Sequence, residues 1–229
     1  MPTFGEWEAT VLRHCYDVVD YVSLHAYYEQ HGDDVASFLA SGHAMDRFID
    51  GVIADHIRAV TKSRKKIQLS FDEWNVWYAS RFAGHTNLEW EEAPRLIEDT
   101  YSTLDAVVVG NLLMSLLRHA DRVGFACLAQ LVNVTGPIRA EPGRQAWRQT
   151  TFHPFALTSR TSSRNVTSHQ RMGGGSHGLA ATNTVDTPDR VTAVELRDSA
   201  TVLTDDGVSV ALEPVSWNLI RLSHAAGLA

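Results

Sequence analysis

Cysteine is scarce in this chain: 229 residues contain only Cys15 and Cys127. The two lie far apart and form no Cys-x-x-Cys pair, which excludes a disulfide framework and a thiolate zinc site and fits a reducing compartment. Basic charge is also in short supply, with Lys+Arg at 20 against Asp+Glu at 27 and a formal net charge of −7. The clustered cations that bind a phosphate backbone are therefore missing. The one basic run, Arg64-Lys65-Lys66, suits a helix C-terminus, where the dipole favours cations. Long apolar runs are lacking too. The longest, Ala106 to Leu117, is interrupted by Asn111 and Ser115, and Met1 to Glu6 has neither the basic nor the apolar segment of a secretory signal. The expectation is a cytoplasmic protein with neither nucleic acid nor membrane as partner. Eleven histidines include no His-Glu-x-x-His spacing, and Gly173 to Gly178 follows no strand and lacks the Lys-Ser/Thr ending of a phosphate loop. No metal and no cofactor are expected. Asn165-Val166-Thr167 fits a glycosylation sequon, which means little without a secretory signal.

What is present is the profile of a globular protein, 44% hydrophobic and 21% charged, whose first two-thirds alternate between the hydrophobic periods of strand and helix. A short helical pattern over Pro2–His14 precedes a strand over Val18–Leu24. Phe48, Ile49, Val52, Ile53, His56, Ile57 and Val60 give one apolar helical face over about 45–61. A second strand, Ile67–Phe71, ends at Asp72-Glu73-Trp74. The spacing then predicts a long helix over Pro94–Ala120, with Leu96, Ile97, Thr100, Leu104, Val107, Val108 and Leu112 turned to a core. A third strand over Val123–Val132 and a helix over Arg144–Ser159 follow. Three strand-then-helix units in a row suggest an α/β fold, part of a (β/α)8 TIM barrel of about three units, too few to close one. Residues 158–184 are rich in Ser, Thr, Arg and Gly and read as a linker or loop. Short strands over Val191–Leu196, Thr201–Leu203, Val208–Leu212 and Trp217–Leu222, with a hairpin turn at Asp205-Asp206-Gly207, make residues 185–229 a small, truncated, sandwich-like all-β module.

A barrel carries its active site at the C-terminal ends of its strands. His25 and Tyr27 follow strand one. Asp72, Glu73, Trp74 and Asn75 end strand two, with Trp77 and Tyr78 close behind, and Gln130 and Asn133 end strand three. A carboxylate among amides, a phenol and indoles suits a sugar, whose hydroxyls need fixed hydrogen-bond partners and whose faces pack on rings. Strand alternation sends Asp72 and Glu73 to opposite sides, so only one of them is expected to face a substrate. The spacing alone does not say which, and taken by itself the pair reads better as a solvated acidic turn capping the next helix.

Four stretches break the tie: Asp20-Tyr21-Val22-Ser23-Leu24-His25-Ala26-Tyr27-Tyr28, Leu69-Ser70-Phe71-Asp72-Glu73-Trp74-Asn75-Val76-Trp77-Tyr78, Ala129-Gln130-Leu131-Val132-Asn133-Val134, and Ala146-Trp147-Arg148-Gln149-Thr150. With these motifs, residues 1 to about 160, and again from Ala181-Thr182-Asn183-Thr184 through Trp217-Asn218-Leu219-Ile220-Arg221, the chain resembles glycoside hydrolase family 51, the α-L-arabinofuranosidases. The resemblance implies that Glu73 is the nucleophile of a retaining glycosidase. It places sugar contacts on Tyr27 and Gln130, Trp77 beside the leaving-group subsite, and His25 in support of the nucleophile. It also implies an arabinofuranosyl oligosaccharide as substrate and a homo-oligomer, commonly a hexamer. The acid/base glutamate of the family lies on an earlier strand that has no counterpart here. Glu29, Glu89, Glu91 and Glu92 are the carboxylates that the pattern brings nearest, and loop carboxylates of this kind are usually caps or solvated charges. The resemblance further implies residues 1–157 as the C-terminal part of the catalytic barrel, and strands normally found between Ser159 and Ala181 are replaced by the Gly/Ser-rich segment.

Overall fold

The computed structural model of the chain describes residues 5–52, 58, 62–82, 90, 92, 94–161, 169–173, 178–196, 201–204, 207–212 and 214–220. The chain forms two compact units, one of Met1–Trp77 with Met114–Ala129 and the other of Tyr78–Leu113 with Gln130–Ala229.

The first unit is built on three parallel strands in the order β1 (Tyr21–Tyr28), β2 (Gln68–Val76), β3 (Val123–Leu128). Parallel neighbours require crossovers, and helices supply them: α1 (Glu6–Cys15) leads in, and α2 (Val35–Leu39) and α3 (Ser41–Gly51) lie between β1 and β2. Helix α1 starts at Gly5, in the left-handed region at φ 81°, whose N–H donates to the Glu8 carboxylate at 2.8 Å. Asp34 caps α2 by accepting from the Ser37 N–H at 2.9 Å, which satisfies an amide with no partner inside the helix. Val22, Leu24, Leu69 and Phe71 point inward from the strands, and Leu12, Phe38, Met45 and Ile49 cover them from the helices, all at 3% exposure or less. Each such side chain contributes about 1.5–3 kcal/mol by leaving water, and the Phe48 ring meets Phe71 edge-on at 5.8 Å. The outward positions Tyr21, Ser23 and His25 of β1 and Asp72 of β2 are exposed, as is Phe125 on β3.

Helix α4 (Thr103–Arg118) is shared by the two units along its length. It does not begin at Pro94 as its periodicity suggests. Residues 94–102 are irregular, with Leu96 and Thr100 exposed rather than turned to a core. The start is a reciprocal cap: the Ser102 N–H donates to Asp105 at 2.6 Å, and the Asp105 N–H reaches Ser102 Oγ at 3.4 Å, the Ser-x-x-Asp form of a capping box. Asp105 is 1% exposed, and burial raises its pKa against the hydrogen bonds from Ser102 and Tyr78. Near its other end, within the first unit, α4 is tied to α3 by Ser115 and Arg118, both donating to Asp46.

The second unit holds two tiny paired strands, β4 (Ile138–Arg139) and β5 (Trp147–Arg148), and helix α5 (Phe152–Thr161). The segment expected to be helical from Arg144 to Ser159 therefore opens irregularly, passes through the two-residue strand β5 and turns helical only at Phe152. A sheet of β6 (His169–Gly173), β7 (Val194–Leu196) and β10 (Ser216–Ile220), in the order β10-β6-β7, is antiparallel, and β8 (Thr201–Thr204) pairs with β9 (Gly207–Val210). One strand, β6, thus lies inside the stretch read as a linker. Ala106, Ala181, Val191 and Trp217 form this unit's apolar centre. The Trp217 indole sits over Gly110 of α4, where a Cβ would overlap it. Buried amides pin the loops. Asn183 donates to the carbonyls of Arg148 at 3.0 Å and Val191 at 2.8 Å and accepts from the Val191 N–H at 2.7 Å. Gln149 spans Asp99, Gly136 and Tyr101 in the same manner.

Residues 53–57 and 59–61, expected to continue a helix, together with Glu89, Glu91, the Asn165-Val166-Thr167 sequon and Asp205-Asp206 of the expected hairpin turn, lie outside the described residues.

Candidate active site

Glu73 lies within β2, not beyond its end, because the strand runs on to Val76. The strand also changes phase there. Leu69 and Phe71 are buried, then Trp74 and Val76, with Asp72 exposed and Glu73 half-buried between the two pairs. The registers give the cause. Against β1, Ser70 pairs with Ser23 and Glu73 with His25, three steps on β2 for two on β1. Against β3, Phe71 pairs with Ala126 and Trp74 with Leu128, again three for two. Between Phe71 and Trp74 the central strand takes one step more than either neighbour, a β-bulge that re-aims side chains, while against β3 an opposite irregularity at Leu69/Ser70 restores the count. The expectation that Asp72 and Glu73 face opposite ways fails for this reason: both come within reach of His25, whose Nε2 is 3.8 Å from Asp72 Oδ1 and whose Nδ1 is 3.3 Å from Glu73 Oε2.

The other oxygen of Glu73 accepts the Tyr27 hydroxyl. Burial first, then this hydrogen bond and the Glu73 charge, raise the Tyr27 pKa, so the phenol keeps its proton and remains a donor. The ring of Tyr27 meets Trp77 edge-on at 5.0 Å, and the Trp77 N–H donates to the Tyr28 carbonyl at 2.9 Å, which extends the β1–β2 ladder by one bond. Trp77 Nε1 is buried with no partner among the described residues. Four of the five residues singled out by sequence, His25, Tyr27, Glu73 and Trp77, thus form one contiguous group. The side chains of Glu73 and His25 are 42% and 46% exposed, so the carboxylate is open to an incoming molecule. Gln130, the fifth, is exposed and lies in the second unit.

Two of the other polar residues gathered by the strand-end rule, Asn75 and Asn133, serve the backbone, whereas the Tyr78 hydroxyl donates to Asp105 at 2.7 Å. Asn75 is fully buried, donates to the Ala129 carbonyl at 2.6 Å and accepts from the Val76 N–H at 2.8 Å. Asn133 adopts a positive φ of 60° and pairs both ways with the Ala140 backbone, at 2.8 and 3.2 Å. Trp74 is a core residue at 0% exposure. Glu29, among the alternative acids, faces His31 at 3.9 Å. Ser23 was missed. Its hydroxyl donates to Asp72 Oδ1 at 2.7 Å and lies 3.2 Å from His25 Nε2. Its place two residues before His25 on one strand, hence on the same face, is the signal that would have found it.

Residues 72–172 match the family model described as the alpha-L-arabinofuranosidase C-terminal domain. Over 163 residues, 70% of this chain, the sequence is 63% identical to an intracellular exo-alpha-(1->5)-L-arabinofuranosidase of Streptomyces lividans. Over 188 residues it is 50% identical to an exo-alpha-(1->6)-L-arabinofuranosidase of Bifidobacterium longum. The aligned parts make up 25% and 36% of those proteins, so the chain spans about a quarter to a third of the relatives it matches. A family 51 alpha-L-arabinofuranosidase structure from Bifidobacterium longum superposes on 95% of this chain with a TM-score of 0.81 at 32% identity, the match covering 55% of that protein.

Proposed function

The chain belongs to glycoside hydrolase family 51 as a C-terminal part of an α-L-arabinofuranosidase, and on that premise we propose that Glu73 is the nucleophile of a retaining enzyme that releases non-reducing terminal α-L-arabinofuranosyl residues from arabinose-containing oligosaccharides. The single observation that carries this reading is the treatment of the Glu73 carboxylate, with the Tyr27 phenol on one oxygen, the His25 ring on the other and the Trp77 ring alongside. A carboxylate that attacks carbon has to be held in one orientation, and the Tyr27 hydrogen bond on one oxygen with the His25 ring beside the other serves that need.

In the reaction, a Glu73 oxygen forms an ester bond to the anomeric carbon as the bond to the leaving oxygen breaks, and that oxygen takes a proton from a second carboxylic acid. Water then attacks the same carbon, gives its proton to that second group, and returns Glu73 as a carboxylate with configuration retained. The second carboxyl belongs about 5–5.5 Å from the first in retaining enzymes, and in this reading a part of the whole protein preceding this segment provides it. Tyr27 holds Glu73 in line. Trp77 gives the sugar an apolar wall, and Gln130 binds a ring hydroxyl.

On the same reading the parallel sheet of β1, β2 and β3 is part of a (β/α)8 barrel within residues 1–157, residues 158–184 connect it onward, and residues 185–229 belong to a shortened β-sandwich. The relatives whose names specify an intracellular enzyme support a cytoplasmic location, and the family suggests a homo-oligomer, a hexamer. A mechanism-based epoxide or fluorinated arabinofuranoside, applied to the full-length form, labels Glu73 on this account; a label on another carboxylate overturns it. A second reading, an inactive segment with at most weak sugar binding, draws on the open setting of Glu73. Turnover of an aryl arabinofuranoside by the 229-residue chain excludes it. Comparison with aryl xylosides and β-glucosides decides between arabinose and another glycone.

A further inference from the structure

We propose that Ser23 and Asp72 are positioning residues for Glu73, their mutual hydrogen bond fixing the His25 ring that borders the nucleophile; this rests on the reading of Glu73 given above. Among the described residues, Tyr27 supplies the hydrogen bond on one Glu73 oxygen, and the other oxygen lies 3.3 Å from His25 Nδ1. The ring limits where that second oxygen can turn, provided the ring itself stays in place. With its side chain 46% exposed, packing alone does not hold it. A side chain in such a setting moves between rotamers unless a partner fixes it. The partner is Ser23, whose Oγ is hydrogen-bonded at 3.2 Å to Nε2, the ring nitrogen that does not face Glu73. A serine side chain is in turn a rotor with three staggered positions. Asp72 settles it: the Ser23 hydroxyl donates to Asp72 Oδ1 at 2.7 Å, the shorter of its two contacts.

Strand geometry assembles this chain of contacts in two steps. Ser23 and His25 lie two apart on β1 and share its outward face, and Asp72 shares that face on β2, two residues beyond the Ser70 that pairs with Ser23. The bulge then sets Glu73 opposite His25, so that two neighbouring carboxylates stand on one side of the sheet. Each needs a place of its own. Tyr27 gives one to Glu73 and Ser23 gives one to Asp72, while the ring has Asp72 Oδ1 at 3.8 Å from Nε2 and Glu73 Oε2 at 3.3 Å from Nδ1. Ser23 and Asp72 are both exposed in this chain, so their hydrogen bond, and not burial, orients them. The consequence is for the bond-forming step. An attacking oxygen has to stand in line with the anomeric carbon, and a small misplacement slows attack without weakening the grip on the sugar.

Inactivation of the full-length enzyme by a fluorinated arabinofuranoside carrying a dinitrophenolate leaving group isolates that step, because Glu73 displaces this group without a proton from the second carboxyl. It yields a maximal rate, kinact, and a half-saturating concentration, KI. Ser23→Ala and Asp72→Ala are each expected to lower kinact about 5–10-fold, the scale of one hydrogen bond, with KI unchanged. The double variant is expected to be no slower than either single one, since both remove the same bond. Ser23→Thr, which keeps the hydroxyl, and Asp72→Asn, which keeps an accepting oxygen, are expected to recover most of the rate. Unchanged kinact in the alanine variants, losses that multiply in the double variant, a change confined to KI, or an Asp72→Asn as slow as Asp72→Ala overturns the proposal. If one alanine variant does not fold, the other, set against its conservative counterpart, decides. Peptide mapping of the labelled enzyme keeps the two readings apart. Label on Glu73 with an indifferent kinact removes the positioning role alone, whereas label on another carboxylate removes the nucleophile and this role together.

Discussion

Acidification should loosen the second unit through one side chain, His153. It is 7% exposed, near the start of α5, and its Nε2 is buried without a partner among the described residues. Burial, with Arg148 adding a like charge, pushes its pKa down from 6.5 to about 4, against the pull of Asp189 and a hydrogen bond to the Val191 backbone. The sign follows from which state takes up the proton. Between the two values the unfolded chain protonates this residue and the folded chain does not, so the stability it carries is complete above the ordinary value and is lost as pH falls towards the folded one. The whole shift corresponds to about 3 kcal/mol, of which about 2 kcal/mol is already gone at pH 5. Urea unfolding followed by tryptophan fluorescence at pH 7 and pH 5 measures the loss, and His153→Phe, which has no proton to gain, removes the contribution of the other histidines by comparison. The wild type should lose about 2 kcal/mol more than the variant between the two pH values, or about 4–8 °C more in Tm for a chain of this size. Equal losses in the two proteins would refute the reasoning, because they would mean that His153 protonates as easily folded as unfolded.

Three further outcomes follow from contacts described above. Gly110→Ala, which would add about 1 kcal/mol in a free helix, should instead cost about 1–3 kcal/mol by forcing the Trp217 indole aside; a Tm at or above wild type would contradict the overlap. Asn183→Ala should cost about 2–3 kcal/mol in urea titrations, because it strands the Val191 N–H and the Arg148 and Val191 carbonyls in a buried place, and Asn183→Asp should not restore it, since a carboxylate cannot donate. Glu73→Ala in the full-length enzyme should lower kcat on aryl arabinofuranosides by orders of magnitude, and near-normal turnover would remove Glu73 from the mechanism.

The parallel sheet and its helices were legible because hydrophobic period reports burial, and Val22, Leu24, Leu69 and Phe71 alternate as an inward face does. Period reported less about boundaries. Helix α4 begins at Ser102 because a hydroxyl and a carboxylate three residues apart close its first turn, a signal present in Ser102-Thr103-Leu104-Asp105 and outweighed by the apolar spacing of Leu96 and Ile97 before it. The group around Glu73 was found from strand ends and resemblance together. Asn75 and Asn133 were drawn into it by residue type alone, although both amides are occupied by the backbone. The approach of Glu73 to His25 was not legible, since a bulge exists only relative to neighbouring strands, and no single segment records the register of two others.

The extra residue in β2 lets one strand answer two incompatible demands. Before it, odd-numbered side chains fill the interior; after it, Trp74 and Val76 do, and the change of parity is absorbed where two acidic groups stand side by side. Shortening the strand by one residue there would compel a choice between seating an indole and presenting a carboxylate, so the site and the packing beneath it are bound to the same count of peptide units.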